Sequence, residues 1–153
     1  MIGASAFARI GETEQQIEAR YGPSIAPAPD KFKRDELGNE IRVYNFHGFT
    51  VTVTFVNGRS EVELFVKYKD QIPSDHWEVM TGQEVAAILE AYEGTGMKWK
   101  PEQGSRRPMW WDSEDGRLKA INMFNQVQIG TVSYVEKRTE RIKQNEADRL
   151  KGF

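Results

Sequence analysis

The sequence predicts an α+β fold: antiparallel β-meanders with packed helices, compatible with a tandem α-β-β-β repeat, plus a C-terminal helix. Three observations carry this. Residues 49–56 alternate, with Phe49, Val51, Val53 and Phe55 on one face and Thr50, Thr52 and Thr54 on the other, which is the pattern of a half-buried strand. His47-Gly48 and Asn57-Gly58 are short turn signals flanking that run, and such hairpins exclude the long crossovers of a parallel sheet. Two helical stretches opening on Thr each precede strand-like text, as an α+β order requires.

The elements follow in order. Thr13-Glu14-Gln15-Gln16 has capping-box spacing, Ile17 and Tyr21 share a face, and Gly22-Pro23 stops the helix. Prolines and small residues from Pro23 to Asp30 make an extended connector, and the charged stretch 30–40 reads as loop or exposed edge. Strands are expected at 41–46, 49–56 and 60–68. In the last, Val62, Leu64 and Val66 are assigned inward and Glu61 and Glu63 outward, with Phe65 breaking the outward polarity. Ile72-Pro73-Ser74-Asp75 interrupts. Thr81-Gly82-Gln83-Glu84 then opens a second helix carrying Val85, Ile88, Leu89 and Tyr92, closed by Gly94 and Gly96. Strands are expected at 108–112, 117–124 and 126–135, with turns at Asp115-Gly116 and Asn125-Gln126, and Met97–Lys100 offers a short edge strand. Residues 136–151 carry ten charged side chains of both signs and read as an exposed helix or a solvated tail.

Composition narrows the function. The chain has 153 residues, a formal net charge of −2 and no cysteine. That length supports one domain with a real core. The missing thiols exclude disulfides, Cys-ligated metals and a cysteine nucleophile. The balanced charge gives no global field for nucleic acid. No apolar run reaches the ~20 residues of a membrane span. Ala6-Phe7-Ala8 has the A-x-A shape of a signal-peptidase site, but no basic segment or apolar segment of ~7–15 residues precedes it. The expectation is therefore conditional: periplasmic or secreted if the start is truncated, otherwise cytoplasmic. Residues 1–8 are the candidate signal-peptide remnant, 9–135 the domain (repeats 9–70 and 75–135), and 136–153 the charged helix or tail.

The repeat rests on Ile17-Glu18-Ala19-Arg20-Tyr21-Gly22 against Leu89-Glu90-Ala91-Tyr92-Glu93-Gly94; any amphipathic helix with a glycine stop reads similarly. Arg9-Ile10-Gly11-Glu12-Thr13, then Arg20-Tyr21-Gly22-Pro23 and Asn57-Gly58, resemble a set of uncharacterised exported bacterial proteins in which a G-E-T … R-Y-G helix follows a signal peptide. The element order is more distantly similar to the α+β modules of the β-lactamase-inhibitor protein and the outer-membrane-assembly lipoproteins. This chain departs from the lipoproteins in having no cysteine for lipid attachment. The resemblance implies export and a binding or scaffold role, and carries over no functional residue.

Catalytic constellations are sparse. No serine lies in a G-x-S-x-G elbow and no H-x-x-x-H spacing exists. His47 sits in a turn and His76 in Asp75-His76-Trp77. Asp112-Ser113-Glu114-Asp115-Gly116 is acidic, but its spacing fits a hairpin loop better than a calcium loop. No cofactor is expected. The tryptophans are more informative. Trp99, Trp110 and Trp111 cluster. In a strand, Trp110 and Trp111 point to opposite faces, so one packs under the second helix and the other lies near Arg106 and Arg107, a pairing typical of interaction hot spots. The competing account has the second tryptophan covered by the C-terminal helix or the connector. The leading expectation is an exported binding or scaffold module for a protein or envelope partner, with candidate residues Trp110, Trp111, Trp99, Arg106 and Arg107. The alternatives are a small Asp/Glu/His hydrolase and an assembly subunit; the oligomeric state stays open.

Overall fold

The computed structural model describes residues 10–25, 33–68, 78–93 and 96–153. Ala6-Phe7-Ala8, most of the proline connector, the 72–75 break, His76, Trp77 and Gly94 lie outside the described residues. The elements run α1 (Glu14–Tyr21), β1 (Glu40–Phe46), β2 (Phe49–Val56), β3 (Arg59–Lys67), α2 (Gly82–Glu90), β4 (Trp99–Pro101), β5 (Trp110–Ser113), β6 (Leu118–Met123), β7 (Gln126–Thr131) and α3 (Val132–Leu150). The seven strands form one antiparallel sheet in the order β1-β2-β3-β7-β6-β5-β4. The α-β-β-β order occurs twice, the second time with β4 added, and the two sets meet where β3 pairs with β7.

Local chemistry makes each element. Thr13 accepts from the Gln16 N–H while the Gln16 side chain takes the Thr13 N–H, so the capping box is complete. Thr81 caps α2 by accepting from the Glu84 N–H, and Lys67 of β3 binds Glu84 at 2.7 Å, tying the start of α2 to the sheet. Helix α2 stops at Glu90, short of the glycines, and Tyr92 follows in a turn. The β1–β2 and β2–β3 turns place His47 at φ 48°, Gly48 at 83°, Asn57 at 51° and Gly58 at 76°, the doubly positive turn that matches strand twist.

Helices α1 and α2 cover one face of the sheet, here the inner face. Ile17 and Tyr21 of α1, Val85, Ile88 and Leu89 of α2, and Tyr92 pack with Val51, Val53, Phe55, Phe65, Ala120, Val127 and Ile129. Burying a side chain such as Ile17 is worth roughly 1.5–3 kcal/mol, so a few such residues hold each short helix. Helix α3 starts on the other, outer face. A Cβ on Gly130 of β7 would lie 2.8 Å from Val62 Cγ2 and 3.3 Å from Val135 Cγ2, so glycine is what permits this close approach of α3. Arg138 of α3 binds Glu36 at 2.7 Å, and residues 139–153 are exposed.

Four sequence expectations change. The faces of β3 are reversed: Glu63 pairs with Val53 and Phe65 with Val51, so Glu63 shares the core face with Phe65, while Val62, Leu64 and Val66 point outward and Glu61 sits at the bulge. Strand β2 is not half-buried, because Thr50 and Thr54 are buried too. The strand expected at 126–135 ends at Thr131, whose side chain accepts the Tyr134 N–H at 3.3 Å and starts α3. The β6–β7 turn is Phe124-Asn125, not Asn125-Gln126. Lys67 N–H donates to the Asn125 carbonyl at 2.8 Å and Met80 N–H to the Phe124 carbonyl at 2.9 Å, and these long-range bonds fix it.

Candidate functional site

Strand β5 carries the tryptophan pair, and its alternation separates the two side chains. Trp111 belongs to the inner row Trp111–Ala120–Ile129–Glu63–Val53 and packs against the core. Trp110 belongs to the outer row Trp110–Ile121–Gln128–Leu64–Thr52 and is 42% exposed. Met123, also 42% exposed, stands two residues along β6 from Ile121 on the same face. The outer end of β5–β6 is thus a partly open apolar surface.

Trp99, the third tryptophan, lies on the inner side. It sits on β4, is partly buried against the core, and its Nε1–H donates to the Leu89 carbonyl at 2.9 Å. The Leu89 carbonyl also accepts the Tyr92 N–H at 3.0 Å, so this bond adds a side-chain tie between β4 and the end of α2. Arg107 lines a groove on the inner side with Trp111, Pro108, Asn122 and α2. Arg106 is exposed in the loop preceding β5. The five candidates therefore divide between Trp110 on one face, Trp99, Trp111 and Arg107 on the other, and Arg106 on the connecting loop.

The acidic run is a hairpin loop. Ser113 Oγ donates to Asp115 Oδ1 at 2.6 Å and accepts the Leu118 N–H at 2.9 Å, and the Arg117 N–H donates to Asp115 Oδ1 at 3.1 Å. The Ser113 and Arg117 bonds hold the Asp115 carboxyl at a pKa of about 2. Asp112 points outward, 3.7 Å from Lys119. Among the described residues, no group of three or more histidines and carboxylates is arranged to hold a metal. No helix among them is long and apolar enough to cross a membrane.

The group that sequence reasoning missed is Glu63. It is fully buried, and its Oε2 accepts from Tyr21 Oη of α1 and Tyr92 Oη after α2, each at 2.6 Å. Arg20 Nη1 stands 4.0 Å from Oε1 and also binds Glu12. One carboxylate thus joins both helical units to the centre of the sheet. The signal in the sequence was Phe65, an aromatic on the side that Glu61 and Glu63 had been assigned to water. Tyr44 lies beside this cluster, 5.8 Å from the Tyr21 ring, and burial pushes its hydroxyl up to about 12. Set against known proteins, the chain matches no protein-family model, no curated protein and no solved structure.

Proposed function

We propose that the chain is a binding module that presents the outer end of β5–β6 to a protein partner. The observation that carries this reading is the division of the tryptophan pair. Trp111 serves the core, while Trp110 stands half-exposed beside Ile121 and Met123, away from α1 and α2. An exposed tryptophan in an apolar surface is the kind of residue that dominates protein interfaces. In the exposed hairpin Asp115 is bonded to Ser113 and Asp112 lies 3.7 Å from Lys119, which favours the binding reading over a hydrolase. Placement outside the cytoplasm belongs to the same reading. It is supported by Ala6-Phe7-Ala8 and by the resemblance to exported proteins. An in-frame basic and then apolar stretch upstream of Met1 is expected, and a plain intergenic sequence there would remove export from the proposal.

The interface is tested by affinity capture, identification of the captured protein, and titration of that purified protein against variants. Trp110→Ala should weaken its affinity by about tenfold or more, the scale of one hot-spot residue, with an unchanged circular dichroism spectrum. Equal affinity for wild type, Trp110→Ala and Met123→Ala would overturn the proposed surface.

A further inference from the structure

We propose that the groove between α2 and the inner side of β5–β6 binds a small aromatic carboxylate. This site lies on the opposite sheet face from the protein-binding surface, and the two readings stand independently. The groove is open on one side and has a volume of about 560 Å³, comparable with small-molecule sites. Its walls include Met80, Val85 and Leu89 with Trp111 from the sheet, and these favour a flat apolar body that stacks on or abuts the indole.

The polar groups select the rest of the ligand. Arg107 is the one charged side chain among the described lining residues, and no carboxylate there opposes it. The Arg107 guanidinium is exposed and makes no ion pair among the described residues. A planar guanidinium matches a carboxylate through two parallel N–H bonds. Asn122 lines the same groove from β6. The combination specifies an aromatic ring system with a carboxylate.

Titration calorimetry with 6-hydroxy-2-naphthoate tests this, alongside 2-naphthol, which lacks the carboxylate. Saturable one-to-one binding is expected, favouring the naphthoate by about tenfold, with a shift of the Trp111 indole N–H resonance. Two substitutions at exposed positions keep the fold out of the question. Arg107→Glu should abolish the preference for the carboxylate, and Ala86→Trp should fill the groove and prevent binding of both compounds. Trp110→Ala should bind the naphthoate like wild type. Absence of saturable binding at millimolar naphthoate would overturn the proposal, as would a carboxylate preference that survives Arg107→Glu. Tighter binding of an acetylated acidic peptide than of the naphthoate would overturn it in favour of a protein ligand.

Discussion

The two faces of the sheet use the same strands for different purposes. On the inner face residues of α1 and α2 pack with the centre of the sheet, and even a carboxylate, Glu63, is fully buried there. On the outer face α3 docks through its first turns near Gly130, while the β5–β6 end keeps Trp110 and Met123 substantially exposed. Strand alternation alone sends Trp111 to one environment and Trp110 to the other. The difference teaches that side-chain polarity alone does not decide burial in this fold: Glu63 is fully buried while Trp110 is 42% exposed. A glutamate under two helices is more buried than a tryptophan under none.

The largest break in that comparison comes from Glu63. Two tyrosine hydroxyls donate to one buried oxygen, so Glu63→Ala removes the acceptor from both and opens a cavity. A loss of about 3–5 kcal/mol is expected in chemical denaturation. Tyr21→Phe and Tyr92→Phe should each cost about 1.5–3 kcal/mol, as for hydrogen bonds to a charged group. Because they share Oε2, the double variant should fall short of the sum. A loss below about 1 kcal/mol for Glu63→Ala would show that the inner face does not depend on its polar centre.

Glu63 also marks where the sequence stopped being legible. Strand existence, the hairpin turns at His47-Gly48 and Asn57-Gly58, both Thr caps and the C-terminal helix were readable because each is decided within a few residues. The faces of β3 were not. Val62, Leu64 and Val66 look like a core stripe, but register against β2 is set by the Asn57-Gly58 turn and the irregularity at Thr54/Phe55, and it sends Phe65 and Glu63 inward instead. Likewise Val132-Ser133-Tyr134-Val135 has strand composition, yet the Thr131 cap starts a helix there. At the candidate site, alternation separated Trp110 from Trp111. Which face held Arg107 depended on the path of the preceding loop, which no local pattern encodes.

The second test compares the two tryptophans directly. Trp111→Ala should cost about 3 kcal/mol, the low end for removing a large aromatic from a core it only partly enters. Trp110→Ala should cost about 1 kcal/mol or less, since much of its surface is already in water. Equal losses would mean that the outer end of β5–β6 is covered as fully as the inner one. Gly130→Ala probes the covered part of the outer face. The added methyl meets Val62 Cγ2 at 2.8 Å and the Glu61 carbonyl at 3.2 Å, so overpacking should cost about 1–3 kcal/mol. Combining it with Val62→Ala should recover part of that loss, because the closest clash is with that side chain.

The smallest effect is at the far end of the α3 contact. Arg138 holds Glu36 through bonds of 2.7 and 3.3 Å, and the hydrogen bond from Arg138 lowers the Glu36 pKa. Both side chains are one-third exposed, so the pair should contribute only about 0.2–1 kcal/mol. Glu36→Gln should therefore leave global stability almost unchanged while raising amide exchange through the docked turns of α3. The sign of the pH dependence follows from the depressed pKa: the contribution is present above the unfolded-state value and is lost as pH falls through the folded-state value. Wild type and Glu36→Gln should accordingly differ at neutral pH and converge in acid, once Glu36 is protonated. The difference should also shrink in high salt. If exchange in α3 is the same in both proteins at neutral pH and low salt, the helix is held by Tyr134 and the Gly130 approach alone, and the ion pair has no part in covering this face.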